Sequence, residues 1–213
     1  MADVLSLTFN AFQENTYVVY DETGECVIFD PGNSNAGEDQ RLLDTITNKG
    51  LKPVKLINTH CHIDHVFGNK FVAEQFDLPL GIHEGELPLL EAVPQISQVY
   101  GLPQPEPSPK PGYFIEAGET ITFGNTSLLT LFTPGHSPAS LCFYCEKDAF
   151  VIAGDVLFYG SIGRTDLPGG DYDTLINSVR TELFTLPDNV KVWPGHGPAT
   201  TVGFEKQNNP FFQ

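Results

Sequence analysis

Three histidines and one aspartate stand close together in the segment His60-Cys61-His62-Ile63-Asp64-His65. In an extended segment, residues two apart project to the same side, so His60 and His62 can bind one metal ion together. We expect the chain then to turn into a helix whose first turn carries Asp64 and His65, facing a second ion. Imidazole and carboxylate groups bind zinc and also suit iron and manganese. The spacing therefore predicts a metal centre for two ions.

Three more candidate ligands follow later in the chain. His136 and His196 each stand in a Pro-Gly-His context, and Asp155 ends an expected strand, where its carboxylate could bridge both ions. Cys61 lies between two candidate ligands, but strand alternation should point it away from the metals. Structural zinc sites are closed, tetrahedral and usually rich in cysteine. A ligand set without cysteine favours open positions for water and substrate over a binding module with structural zinc.

Short strands that end in turns must position these side chains. The expected strands are Val4–Phe9, Thr16–Tyr20, Cys26–Phe29, Val54–Asn58, Leu80–His83, Thr120–Phe123, Thr126–Thr133, Ser140–Cys145, Phe150–Ala153 and Val190–Trp193. Helices are expected around Leu42–Ile46, from His65 to Phe76, over Tyr172–Phe184 and around Phe204–Gln207, with one or two helical turns within 84–100. The elements occur in two similar passes, roughly 1–110 and 111–213, which predicts an α+β fold, a four-layer αββα sandwich. The proline-dense stretch before Gly112 is interpreted as a loop and not a linker, so one domain is expected over 1–213.

Thr59–His65 matches the T-H-x-H-x-D-H signature of the metallo-β-lactamase fold superfamily, and Pro-Gly-His, Gly-Asp and Gly-His motifs follow in the family's order. The chain resembles this superfamily over essentially its whole length. The resemblance implies a first ion on His60, His62 and His136 and a second on Asp64, His65 and His196, with Asp155 bridging. It also gives Asp64 a catalytic role. The implied cofactors are two divalent ions, zinc or alternatively iron or manganese.

Within the superfamily, the sequence is similar to the glyoxalase II group, the hydroxyacylglutathione hydrolases. The fragments that carry this similarity are Glu14–Tyr17, Gly154–Phe158 and Gly163–Asp166. Arg164 falls where these enzymes have a basic residue that meets the glutathione moiety, which implies a substrate-binding role. The sequence ends soon after His196, without the helical C-terminal domain of the longer enzymes, and so resembles the small single-domain bacterial hydrolases.

The expected activity is thioester hydrolysis, with S-lactoylglutathione as the model substrate. A hydroxide bridging the two ions would attack the carbonyl, and the thiolate would leave without prior protonation. An iron-dependent persulfide dioxygenase is the main alternative; its single iron would be held by His60, His136 and Asp155. Retention of Pro194-Gly195-His196 favours two metals. A lactonase, a phosphodiesterase or a β-lactamase of the same fold also remains open.

The net charge excludes some partners. Lys and Arg number 11 against 27 Asp and Glu, which gives −16 at neutral pH. A charge of this sign repels phosphate backbones and anionic membranes, so we expect a small-molecule partner and neither nucleic acid nor membrane. The N-terminus lacks a signal-peptide pattern, and four cysteines are too few for a disulfide scaffold. A cytoplasmic location and buried Cys142 and Cys145 thiols are expected.

Overall fold

The computed structural model covers residues 1–213 and contains fourteen strands and six α-helices. The strands are β1 (Asp3–Phe9), β2 (Glu14–Tyr20), β3 (Glu25–Phe29), β4 (Lys52–Ile57), β5 (Leu80–Ile82), β6 (Tyr113–Phe114), β7 (Thr120–Phe123), β8 (Thr126–Phe132), β9 (Leu141–Cys145), β10 (Phe150–Gly154), β11 (Leu157–Phe158), β12 (Ser161–Ile162), β13 (Lys191–Pro194) and β14 (Thr200–Thr201). The helices are α1 (Ala36–Asn48), α2 (Ile63–Val66), α3 (Asn69–Phe76), α4 (Leu87–Val99), α5 (Tyr172–Ser178) and α6 (Val202–Asn208). None of these helices has the length and apolar character that a membrane crossing requires.

The chain divides into two compact units. The first comprises Met1–Phe114 with Thr122–Thr126, and the second comprises Ile115–Ile121 with Ser127–Gln213. This division lies close to the boundary between the two predicted passes, except that Thr122–Thr126, from the second pass, belongs to the first unit. The expectation of a single domain over 1–213 stays a prediction.

The sheet of the first unit has the strand order β1-β2-β3-β4-β5-β6. Strands β1 to β3 pair antiparallel, whereas β3, β4, β5 and β6 pair parallel. Parallel neighbours need crossover connections, and these contain α1, the α2–α3 pair and α4. The carboxyl ends of β3, β4 and β5 consequently lie at the same edge of the sheet, and the chain leaves β4 there to enter the histidine-rich segment.

Helix α4 is longer than the sequence predicts. The expected one or two helical turns within 84–100 are a 3₁₀ turn at Glu84–Glu86 followed by the thirteen-residue α4. Pro88 is tolerated because the N–H groups of a first helical turn have no intrahelical partner. Pro94 removes an interior hydrogen bond, and apolar burial offsets that loss. The helix residues buried in the core include Leu89, Leu90 and Val93.

The sheet of the second unit has the order β14-β13-β10-β9-β8-β7, and β11 and β12 form a separate small hairpin. Strands β8, β9 and β10 pair antiparallel, but β10 and β13 pair parallel. The ends of β10 and β13 are therefore side by side, and each is followed by a candidate ligand. The helix expected over Tyr172–Phe184 is found as α5 continuing into π-helical turns at Val179–Leu183. The β11–β12 hairpin and β14 are not predicted, because two-residue strands leave no periodic signal.

The four cysteines are free thiols, and each is buried. Burial of Cys142 and Cys145 confirms the expectation drawn from their position in a β-like run. Both lie in β9, and because residues three apart in a strand point to opposite faces, the two thiols lie on opposite faces of β9.

Candidate metal centre

The first unit brings four predicted ligands together beyond the end of β4. The rings of His60 and His62 lie with centroids 4.9 Å apart at an interplanar angle of 87°, and the His60 and His65 centroids are 4.1 Å apart. His60 and His62 therefore project to the same side, as alternation predicts. Cys61, which stands between them, is fully buried in the apolar core of this unit.

Helix α2 carries the other two predicted ligands of this unit in its first turn. Asp64 Oδ2 lies 3.7 Å from His65 Nε2, and the backbone N–H of His65 donates to the carbonyl of His62 over 3.1 Å. Asp64 and His65 are both buried. The turn from extended chain to helix that the sequence predicts is thus found, and it places both side chains beside the imidazoles.

Asp30 is a buried carboxylate next to this segment that the sequence does not predict. It accepts hydrogen bonds from Thr59 N at 2.7 Å and Thr59 Oγ1 at 2.6 Å, and its Oδ2 lies 3.3 Å from His65 Nδ1. Asp30, His60 and His65 each offer one atom that could bind a metal ion, and these three atoms all lie within 4.8 Å of one another. A carboxylate on the second ring nitrogen of a histidine fixes the orientation of the ring.

Three more side chains hold the backbone of the ligand segment. Asn10 Nδ2 donates to the carbonyl of Asp64 at 2.9 Å, and Asn58 Nδ2 donates to the carbonyl of His65 at 3.0 Å. Glu86 accepts the backbone N–H of Cys61 at 2.8 Å. Asn10, Asp30 and Asn58 each follow directly after the last residue of a strand. A polar residue immediately after an apolar strand is the sequence signal that could have found them.

Glu14 is a further buried acid of this unit. Its Oε2 accepts a hydrogen bond from Thr16 Oγ1 at 3.0 Å, and its Oε1 lies 3.9 Å from His65 Nδ1. Burial raises the pKa of the Glu14 carboxyl well above its usual range. The side chain is enclosed so closely that a Cβ atom at Gly32 would stand 2.0 Å from Glu14 Oε2.

The second unit brings together the other three predicted ligands. Asp155 follows β10, and its Oδ2 lies 3.5 Å from His136 Nε2 and 3.5 Å from His196 Nε2. The other ring nitrogen of His136, Nδ1, lies 2.7 Å from the carbonyl oxygen of Arg164, and this contact orients the ring. One carboxylate oxygen thus faces the ring nitrogens of two histidines, an arrangement suited to bridging.

Arg164 places its charged group on a neighbouring carboxylate. The guanidinium Nε and Nη2 donate to the two oxygens of Asp166 at 2.7 and 2.8 Å. This hydrogen bond lowers the pKa of Asp166 to about 2. The side chain of Arg164 is 56% exposed. The backbone of Arg164 thus contacts His136, and its side chain pairs with Asp166.

The donor chemistry in both units fits divalent cations. The first unit supplies three imidazoles and Asp64, and the second supplies two imidazoles and Asp155, with no thiolate in either set. Divalent cations bind neutral imidazole nitrogens and carboxylate oxygens, and each unit offers both kinds of ligand atom. These residues suit zinc, iron or manganese.

Comparison with known proteins identifies the family. A sequence model described as the metallo-beta-lactamase superfamily matches residues 9–196, a span that includes every predicted ligand. The chain belongs to the metallo-beta-lactamase superfamily. This confirms the resemblance drawn from the histidine motifs.

Relatives of this superfamily member match it over nearly the whole chain. The hydroxyacylglutathione hydrolase GloC of Haemophilus influenzae is 38% identical over 202 residues, covering 94% of this chain and 93% of GloC. The crystal structure of the BLEG-1 B3 metallo-beta-lactamase has a TM-score of 0.90 at 35% identity and covers 100% of both chains. The crystal structure of TTHA1623 in a di-iron-bound form has a TM-score of 0.88 at 39% identity, covering 98% of this chain and 100% of TTHA1623.

These similarities establish the fold class and the general type of protein. The two sheets with their helices match the metallo-beta-lactamase fold, as the sequence predicts. The chain is a hydrolase-type member of the superfamily with a histidine-rich centre for divalent metals.

Proposed function

We propose that this protein hydrolyses thioesters, with hydroxyacyl glutathione thioesters such as S-lactoylglutathione as the substrate class. The proposed ligands of two divalent ions are His60, His62 and His136 for one and Asp64, His65 and His196 for the other, with Asp155 bridging. The observation that carries this proposal is the position of Asp155 Oδ2, at 3.5 Å from both His136 and His196. These two histidines are assigned to different ions, so one carboxylate can serve both.

The ions, when bound, polarise the thioester carbonyl and make water a nucleophile near neutral pH. The chain's own residues prepare for this. Asp64 and Asp155 offer carboxylate oxygens to the proposed cation positions, and Asp30 Oδ2 lies 3.3 Å from His65 Nδ1. A thiolate leaves readily as an anion, so hydrolysis requires no separate general acid from the protein.

Zinc is the proposed metal, and iron is the alternative that the di-iron form of TTHA1623 supports. The proposed partner is a small-molecule thioester, in keeping with a net charge of −16, which disfavours nucleic acid and anionic membranes. The proposed location is the cytoplasm. Four free thiols support it, since disulfides are rare there.

The test combines metal analysis of the purified protein with three hydrolysis or oxidation assays. We expect about two divalent ions per chain and steady hydrolysis of S-lactoylglutathione, measured by loss of the thioester absorbance. Oxygen consumption with glutathione persulfide would instead identify the iron-dependent dioxygenase. Faster hydrolysis of a β-lactam than of any thioester would contradict the proposal and favour the activity named for BLEG-1.

A further inference from the structure

Glu86 is a buried acidic residue to which the proposed reaction gives no part. It ends the 3₁₀ turn that follows β5, and its side chain has no solvent exposure. Its Oε2 accepts the backbone N–H of Cys61 at 2.8 Å. The bonded peptide therefore lies between the two adjacent candidate ligands His60 and His62.

This hydrogen bond acts on the geometry that lets two neighbouring imidazoles share an ion. Cys61 points into the apolar core, while the His60 and His62 rings project to the other side with centroids 4.9 Å apart. The segment lies beyond the end of β4 and before the start of α2, outside any strand or helix. An acceptor on the N–H of Cys61 orients the His60–Cys61 peptide, the first of the two peptide groups that separate the histidines.

A carboxylate is a costly choice for a buried position, since burial without compensation disfavours the charge. The hydrogen bond from Cys61 N offsets part of that cost, because a buried polar group needs a partner. Side chains that orient metal ligands from outside the ligand set commonly affect metal affinity.

We propose that Glu86 is a positioning residue whose hydrogen bond to Cys61 N sets the spacing of His60 and His62 and thereby the affinity of the protein for its first divalent ion. The inference rests on the proposed ligand role of His60 and His62. It assigns Glu86 no contact with the substrate.

The test measures metal affinity of the full chain, without any substrate. Metal-free protein is titrated with Zn²⁺ against a chromophoric chelator and with Co²⁺ by its visible absorption, after circular dichroism has shown that each variant is folded. Glu86→Gln keeps the reach of the side chain and an acceptor oxygen but removes the charge. Glu86→Asp keeps the charge but withdraws it by one methylene. Glu86→Ala removes both.

We expect Glu86→Ala and Glu86→Asp to bind the first ion about 10–100-fold more weakly, and Glu86→Gln to stay within about threefold of the wild type. The Co²⁺ spectrum should change in the first two variants and not in the third. If Glu86→Ala does not fold, the contrast between Asp and Gln decides. Weaker binding by Gln than by Asp would overturn the inference, because charge and not reach would then set affinity.

Glu205 provides the matched control. It is also fully buried and also accepts a backbone N–H, that of Gly160, together with Thr200 Oγ1. Glu205→Ala should lower the stability of the protein without lowering its affinity for the first ion. If Glu205→Ala and Glu86→Ala lost equal affinity, Glu86 would have only a general stabilising role. Wild-type protein that binds no divalent ion would contradict the proposed function itself. Wild-type protein that binds metal without hydrolysing thioesters would still allow the role of Glu86 to be decided.

Discussion

Asp155 illustrates how much depends on one side chain. Its Oδ2 faces both His136 and His196, so its removal affects the donors assigned to both ions. We expect Asp155→Ala to lower bound metal below one ion per chain and to reduce turnover by about 100-fold or more. Replacing His196 by alanine should leave one ion. Elemental analysis of both variants, with the exposed Asp173→Ala as control, would contradict the bridging role if Asp155→Ala kept full metal content.

Arg164 leads to a prediction in which its side chain and its backbone have separate effects. Because Asp166 occupies the guanidinium, Asp166→Ala should free the charge and lower KM for glutathione thioesters. Arg164→Ala should raise that KM by the equivalent of about 1–3 kcal/mol. It should not change metal content, since the carbonyl oxygen near His136 is retained. The assay compares a charged and an uncharged thioester, and equal effects on both would argue against carboxylate binding.

The residues of the candidate metal centre could be proposed from sequence because they occur in short local motifs, such as Thr59–His65. The contacts that Asp30 and Glu86 make could not be predicted in the same way. Each lies 25 or more residues from the backbone group or ring that it contacts, and a single acid in a chain with 27 of them carries little local information. Parallel pairing of β3, β4 and β5 brings them together, and that pairing is a tertiary property.

Gly163 connects the loop after the β11–β12 hairpin to the second unit's ligands. A Cβ atom there would lie 1.8 Å from the carbonyl oxygen of Asp155 and 2.9 Å from His136 Nδ1. The backbone must therefore shift in Gly163→Ala, and we expect a loss of bound metal with the fold largely kept. Gly37→Ala in α1, where the nearest atom would be 3.3 Å away, is the control. Normal metal content in Gly163→Ala would show that the loop adapts without disturbing His136.

Asp21 joins two turns of the first unit. Burial alone would raise its pKa, but hydrogen bonds from Thr23, Asn125 and Thr126 outweigh that effect and lower the pKa to about 2. A lowered pKa stabilises the fold above the unfolded-state pKa near 4, and this contribution is lost as pH falls from about 4 to about 2.

Asp21→Asn should therefore reduce the free energy of unfolding by about 1–2 kcal/mol at neutral pH and have almost no effect at about pH 2. Urea unfolding at the two pH values measures the difference, with Asp173→Asn as the exposed control. A destabilisation that is the same at both pH values would mean that shape, and not charge, gives Asp21 its effect.

Elements with a clear period could be predicted from sequence, and those that depend on packing could not. Strands β1, β2 and β3 were bounded by turn residues and alternate or run apolar, so their limits differ from expectation by at most two residues. The two prolines of α4, Pro88 and Pro94, predict short helical turns and not one continuous helix. Burial of its apolar face in the core overrides that local preference.

At the scale of the whole molecule, a net charge of −16 should govern the approach of an anionic substrate. Salt screens such repulsion, with a Debye length of about 10 Å at 0.1 M. We expect kcat/KM for a glutathione thioester to rise with ionic strength, while that for an uncharged thioester stays nearly constant. A fall for the anionic substrate would show that local positive charge, such as that of Arg164, outweighs the net field.

The two passes of strands and helices in the sequence correspond closely to the two sheets, although β6, from the start of the second pass, joins the first sheet. The family's order of motifs supplied the rest of the fold prediction. What composition and periodicity could not supply was the strand order, since β3 pairs with β4 across a long connection.

Each unit contains a buried thiol whose rate of chemical labelling depends on how often that unit opens. Burial raises the pKa of Cys26, in the first unit, to about 12, and burial also raises the pKa of Cys145, in the second. An alkylating reagent reacts with the thiolate, so neither sulfur is modified while its unit stays closed. The rate at which each cysteine is labelled therefore reports how often its own unit opens. Mass spectrometry of the two peptides would measure both rates in one experiment, without any engineered cysteine.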